Sequence, residues 1–282
     1  MAQLVAHHTG SVGVTGSNPV SSTIKGRHLR VAAFSMLGGM ETFTKRVRVP
    51  DQAGYEAASL RWLADAAPAY VAPVVRVSGT ELTIGRVREV PPTPAAAREF
   101  GAALRQVHDA GAPAFGCPPS GWEGLTYIGR IEQPCEPRTD WGGFYAGQRV
   151  LTFAAATPLP RDVRADVDRA CTLIADYPWE VQPARIHGDL WAGNVLFGES
   201  GVVMIDPAAH GGHSHTDLGM LALFGVPYFE EILAGYGAPA DIESWLPLYQ
   251  LHPLAVHALT HGPAYYGPLG RAARATIRLL ER

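Results

Sequence analysis

Hydrophobic and polar positions along Leu29–Phe34 and Glu41–Val49 follow the pattern of two strands, and Gly38-Gly39 between them predicts a turn. At Gly54–Ala66 the spacing changes to that of a helix, with Tyr55, Ala58, Trp62 and Ala66 on one face. Ala72–Val77 and Glu81–Val87 predict two further strands around a Ser78-Gly79-Thr80 turn. The run Pro91-Pro92-Thr93-Pro94 then breaks the pattern and marks a boundary. Beyond it the chain reads as mainly helical, over Ala95–Ala110, Trp141–Ala155, Arg161–Asp176 and Thr216–Leu223, and in long apolar stretches from Ser244 to Leu280. A short apolar hairpin, Asn194–Phe197 with Val202–Ile205, sits between these helices. The expected class is α+β: a small β-rich N-lobe over residues 24–90 and a larger helical C-lobe over 91–282.

Length and composition narrow the picture. A chain of 282 residues suits two lobes better than one core. A net charge of −3 argues against nucleic acid as a partner, because such binders carry a basic stripe. Three cysteines without paired spacing predict a reduced, cytoplasmic setting and no disulfide framework. No apolar run approaches the length that spans a bilayer, so no membrane role is expected. Residues 1–23 show neither helical nor strand periodicity. Gly16-Ser17-Asn18-Pro19 can be encoded by GGTTCGAATCCC, a tRNA T-arm-like sequence, so the stretch resembles a translated tRNA gene and is expected to lie outside the fold.

The chemistry concentrates in Ile186-His-Gly-Asp-Leu-Trp-Ala-Gly-Asn194 and Met204-Ile-Asp-Pro207. Asp189 followed five residues later by Asn194 has the spacing of a phosphoryl-transfer loop, and Asp206 follows the hairpin. Such a transition state asks mainly for positioning and charge neutralisation. Asp189 can accept a hydrogen bond from the acceptor hydroxyl, while Asn194 and Asp206 offer oxygens to Mg²⁺. The alternative is a turn in which these side chains only cap backbone amides. Upstream, mid-strand Lys45 and helical Glu56 match the pair that holds ATP phosphates, against a reading as two surface charges. Arg46 faces the other side of the strand. Pro207 stiffens the segment after Asp206, so no mobile activation loop is expected. Together these features give the two lobes a protein-kinase-like architecture.

Other candidates stay open between two readings. Asp217 is either a first-turn acid favoured by a helix dipole or a buried brace accepting backbone bonds from the catalytic loop. Trp141, Phe144, Tyr145 and Arg149 fall at helical spacing and either pack the core or line a substrate pocket. His210, His213 and His215 lack the spacing of a structural zinc site and read as a polar loop beside the cleft. His252 and His257 read as helix–helix contacts.

With these residues assembled, the chain resembles the fructosamine kinase (ketosamine-3-kinase) family, relatives of the aminoglycoside and choline phosphotransferases. The resemblance runs over roughly residues 40–282. It rests on Tyr55-Glu-Ala-Ala-Ser-Leu-Arg-Trp-Leu, Leu104–His108, Asp140-Trp with Phe144-Tyr145 and Gln148-Arg149, and above all His187-Gly-Asp-Leu-Trp-Ala-Gly-Asn194, where Trp191 separates this family from the aminoglycoside enzymes. Phe115-Gly116 with Ile128-Gly129, Ile205-Asp-Pro-Ala, Gly212-His213, Thr216-Asp-Leu-Gly-Met-Leu and Leu251-His-Pro-Leu with His257 complete it. The resemblance implies ATP-dependent phosphorylation of the 3-hydroxyl of ketosamines such as fructosamines and ribulosamines, after which the adduct decomposes and frees the amine, a deglycation repair. It implies Asp189 as the catalytic residue, Asn194 and Asp206 as Mg²⁺ ligands, Lys45 held by Glu56 on the phosphates, and Gly85-Arg86-Val87 as the hinge facing adenine. His187, Trp191 and Asp217 would support the loop, and Trp141, Tyr145, Arg149 and His213 the substrate side. One departure stands out. The family carries a Gly-containing, phosphate-covering hairpin before the lysine strand, whereas Lys25–Met40 here offers only Gly38-Gly39. Weaker ATP binding is therefore expected. An aminoglycoside- or choline-type phosphotransferase and a non-catalytic kinase-shaped binding protein are the alternatives.

Overall fold

The structure is a computed structural model that describes residues 33–37 and 40–282. Residues 1–23, the start of the expected first strand, the Gly38-Gly39 turn and most of Lys25–Met40 lie outside the described residues.

The N-lobe is a four-stranded antiparallel sheet in the order β1-β2-β4-β3, built from β1 (Ala33–Leu37), β2 (Met40–Arg46), β3 (Val74–Ser78) and β4 (Glu81–Gly85). The pairing Lys45↔Leu82 sets Lys45 beside a buried leucine, while neighbouring Arg46 points outward and pairs with Glu81 at 2.6 Å. Helix α1 (Pro50–Ala64) follows β2 and packs on β3 and β4. It begins four residues before the expected Gly54, because Pro50 supplies a preset φ at the first turn and ends the strand at Arg46.

The C-lobe opens with α2 (Pro94–Asp109), where Thr93 Oγ1 accepts the Ala96 N–H at 3.2 Å and Pro94 occupies the first turn. A long connection carries the short hairpin β5 (Tyr127–Ile128) and β6 (Ile131–Glu132). The helix expected over 141–155 is helical throughout. Its middle, however, Tyr145–Leu151, widens to a π-helix between α3 (Trp141–Phe144) and α4 (Thr152–Ala155). After α5 (Arg161–Asp176) come β7 (Ala184–Ile186), the hairpin β8 (Val195–Gly198) with β9 (Gly201–Met204), and β10 (His210–Gly212), which pairs antiparallel with β7. Helices α6 (His215–Phe224), α7 (Phe229–Tyr236), α8 (Ile242–Tyr249), α9 (Leu251–His261) and α10 (Tyr266–Leu280) close the lobe. The apolar stretch from Ser244 onward thus divides into three helices. Helix α7 lies along α2, and α10 along α5.

The lobes are joined by specific bonds as well as by the connection. Tyr55 on α1 donates its hydroxyl to Ala209 O at 2.9 Å, and Gln106 Nε2 on α2 donates to Ala66 O at 2.7 Å. The Arg185 guanidinium stacks 4.6 Å from the Trp62 ring. None of the three cysteines is in a disulfide. Among the described residues, no helix is long and apolar enough to cross a membrane.

Candidate active site

The antiparallel pair β7–β10 is the platform of the site. The chain leaves β7 at Ile186, runs through the loop 187–194, makes the β8–β9 hairpin, and returns with Asp206 beside the same loop. Backbone bonds from Ala208 N–H to His187 O at 2.9 Å and from Ile205 N–H to Asn194 O at 3.0 Å tie the two passes together. Asp189, Asn194 and Asp206 are in this way brought to one place.

Each side chain is held by its neighbours. Asn194 Nδ2 donates to Asp189 O at 2.7 Å and to Asp189 Oδ2 at 3.3 Å, which turns the amide oxygen of Asn194 away from that residue. Asp206 adopts a left-handed φ of 55°, a conformation that Asp tolerates better than most residues and that marks functional turns. Its Oδ1 lies 2.7 Å from Lys45 Nζ, and Lys45 is also paired with Glu56. Lys45 is thus a buried ammonium between two carboxylates, from α1 and from the C-lobe, which offset the cost of removing it from water. Burial, then the Asp206 charge, pushes the Asp189 carboxyl well above its ordinary value, with the Asn194 hydrogen bond opposing. An amide oxygen and a carboxylate are the hard donors that suit Mg²⁺, which commonly takes one or two protein oxygens and completes its shell with phosphate and water. The residues present therefore fit the ion.

Beneath the loop sits Asp217, in the first turn of α6. Its carboxylate accepts the His187 N–H at 2.7 Å, the Gly188 N–H at 2.9 Å and His108 Nε2 at 3.1 Å. The other nitrogen of His108, Nδ1, is 2.8 Å from the Tyr236 hydroxyl. Burial raises the Asp217 pKa, but the His108 and His187 interactions outweigh it and leave the group below its ordinary value. His187 Nε2 lies 3.0 Å from Ile205 O, and its Nδ1 accepts the Asp189 N–H at 3.2 Å. A ring that accepts at Nδ1 and faces a carbonyl with Nε2 is the neutral tautomer with its proton on Nε2, and burial, which lowers the His187 pKa, favours that form. Gly188 has φ +79°, and a Cβ there would overlap the Ala208 carbonyl oxygen. Gly188→Ala is expected to destabilise the fold by about 2 kcal/mol or more, read as a lowered midpoint in urea unfolding. Trp191, half-buried, lies over Gly193, at the place a Cβ would occupy.

The remaining candidates fall into two groups. In the segment expected to be the hinge, Gly85 N–H donates to Pro73 O and Arg86 N–H to Glu41 O, both at 2.9 Å, so neither backbone N–H is available to a nucleotide. The segment after Val87 is stitched to the β8–β9 hairpin through Val90 N–H to Phe197 O at 2.8 Å. Trp141, Tyr145 and Arg149 lie inside the C-lobe, each 1% exposed. The Tyr145 hydroxyl bonds Leu248 O and Tyr249 O. Arg149 bonds His210 Nε2 at 3.1 Å and Pro134 O at 2.5 Å, with its guanidinium 4.5 Å from the Phe144 ring. These three side chains line one cavity in the C-lobe together with His213 and with Gly188, the residue before Asp189. His213 is buried there too, with its Nδ1 accepting the His215 N–H and its Nε2 3.3 Å from the Tyr249 hydroxyl. Among the described residues no three His, Cys, Asp or Glu side chains form a metal cage. Two roles were not read from the sequence, although Tyr55 and His108 were both named there. One is that of Tyr55, whose neighbour Glu56 drew the attention. The other is that of the His108–Tyr236 pair, for which the sequence offered His108 at the end of a helix and nothing at Tyr236.

The Fructosamine kinase family profile matches residues 44–279. The chain belongs to the fructosamine kinase family. All the residues of the candidate site, from Lys45 to Asp217, fall inside that match. A Thermus thermophilus protein named a probable ketoamine kinase is 32% identical over 154 residues, which are 53% of this chain and 58% of that protein. The chain thus matches somewhat over half the length of this curated relative. A crystal structure of a Thermobifida fusca protein assigned as a fructosamine-3-kinase is 35% identical, with a TM-score of 0.75 over 94% of this chain and 100% of that one. A spectinomycin phosphotransferase in complex with AMP shares the protein-kinase-like fold, with a TM-score of 0.57 at 14% identity over 89% of this chain and 88% of that one.

Proposed function

We propose that this member of the fructosamine kinase family transfers the γ-phosphoryl group of Mg-ATP to the 3-hydroxyl of a ketosamine, as the first step of deglycation. The observation that carries the reading is Lys45 held between Glu56 and Asp206, with Asp206 set against Asp189 and Asn194. In this scheme Lys45 binds ATP phosphates in a position fixed by Glu56. Asn194 and Asp206 would hold Mg²⁺, which would supply neutralising charge to the phosphates. Asp189 accepts the hydrogen bond of the substrate hydroxyl and takes its proton as the oxygen bonds phosphorus and the bond to ADP breaks. Asp217 and His187 keep the loop in shape while this happens, without touching the substrate.

The test is turnover. With Mg-ATP, the protein is expected to phosphorylate fructosyl-lysine or ribulosyl-lysine, seen as ADP release and a phosphorylated product by mass spectrometry. Turnover confined to aminoglycosides or choline would sink the ketosamine assignment. Failure to bind Mg-ATP by calorimetry would sink the kinase reading altogether.

A further inference from the structure

The connection between α2 and α3, residues 112–140, does more than join two helices. Its base is fixed to the catalytic platform: Gly116 N–H donates to Gly211 O at 2.7 Å, and Gly211 N–H donates to Cys117 O at 2.9 Å, so it runs alongside β10. Phe115 and Arg138 exchange backbone bonds at 3.0 and 2.7 Å, closing the segment into a loop. From that base it reaches α1 in the other lobe. Gln52 Nε2 donates to Gly129 O, and Tyr127 lies 6.3 Å from the Tyr55 ring. The Trp122 ring, pinned by its own Nε1–H to Leu125 O at 3.0 Å, sits 6.0 Å from Tyr55 and covers Gly54. A Cβ at Gly54 would come within 2.7 Å of that ring, so the absence of a side chain there is what admits the tryptophan.

The contacts fall on Gln52, Gly54 and Tyr55, immediately before Glu56. We propose that residues 112–140 are a strap by which the C-lobe sets the position of α1, with Trp122 as a positioning residue for the Glu56–Lys45 pair. The inference rests on the reading of Lys45 as the phosphate ligand. A helix displaced by even a fraction of a turn carries Glu56 with it, and the lysine then loses the geometry that phosphate binding requires. If Trp122 only covered apolar surface, its loss would lower stability and leave the nucleotide unaffected.

The experiment uses the full chain with Trp122→Ala, Trp122→Phe and Gly54→Ala. The last favours the helix intrinsically, so an effect on nucleotide cannot come from a weakened α1. Trp122→Ala is expected to speed amide exchange in residues 50–64, and both Trp122→Ala and Gly54→Ala to raise the KM for Mg-ATP about tenfold, with kcat within about twofold. Trp122→Phe is expected to restore most of the affinity. Calorimetry with Mg-ADP should show the same ordering without any ketosamine. Unchanged exchange in α1 together with unchanged nucleotide affinity would overturn the strap. If the parent chain binds no nucleotide, the kinase reading fails, and exchange in α1 alone then decides the strap.

Discussion

Asp189→Asn is expected to lower kcat for ketosamine phosphorylation by about 10³-fold, the range in which a positioned proton acceptor contributes. The substitution keeps the shape of the side chain and an oxygen for Asn194 Nδ2, which donates to Asp189 Oδ2 at 3.3 Å. It removes only the charge and the basicity. Mg-ATP affinity should therefore stay within a few-fold of the parent, and calorimetry beside steady-state kinetics separates the two effects. Unchanged turnover would mean that Asp189 does not receive the proton. Stability should move the other way. Because burial and Asp206 raise the folded pKa of Asp189, its ionised form costs free energy at any pH above the unfolded value. Removing that charge should leave the melting temperature in EDTA at or above the parent's.

Asp217→Ala should be the most damaging substitution for folding. It strands the buried N–H groups of His187 and Gly188 and the ring of His108, which all bond this carboxylate. The expected cost is about 4 kcal/mol, a large part of the 5–15 kcal/mol by which domains are usually stable. Chemical denaturation would measure it. The effect has a sign in pH. The folded pKa of Asp217 lies below the ordinary value of 3.8. Its contribution is therefore fully present above that value and is lost as pH falls through the folded pKa. The gap between parent and variant should narrow below pH 3.8 and stay constant from pH 5 to 8. A gap that persisted at low pH would show that the backbone bonds do not need the ionised carboxylate.

What the sequence disclosed, and what it hid, follow from the range of the interactions concerned. Arg161–Asp176 matches the expected helix because an amphipathic period is written within a single element. The lobes were legible for the same reason. The spacing of Asp189, Asn194 and Asp206 was also local, since a short hairpin separates the loop from the returning strand. By contrast, the two-residue strands at Tyr127 and Ile131 and the three-residue pair β7–β10 are too short to leave a period. The helical stripe at Trp141, Tyr145 and Arg149 was ambiguous because an inward aromatic face looks alike whether it meets a ligand or α8 and α9. The Tyr145 hydroxyl, bonded to Leu248 O and Tyr249 O, sets that ring against α8, while the stripe also borders a cavity shared with Gly188. The joining of His108, Asp217 and Tyr236 depends on residues more than a hundred positions apart, and no pattern within either segment announces it.

That last connection bears on how the chain acquires its activity. Asp217 fixes the 187–188 backbone while also meeting α2 through His108, and His108 in turn meets α7 through Tyr236. Contacts of such long sequence separation close late, since the entropy of the intervening loops has to be overcome first. A chain in which α2 and α7 have not docked therefore lacks the His108 and Tyr236 half of the brace beneath the loop that carries Asp189. The loop is thus braced by three helices that the chain supplies from well-separated segments.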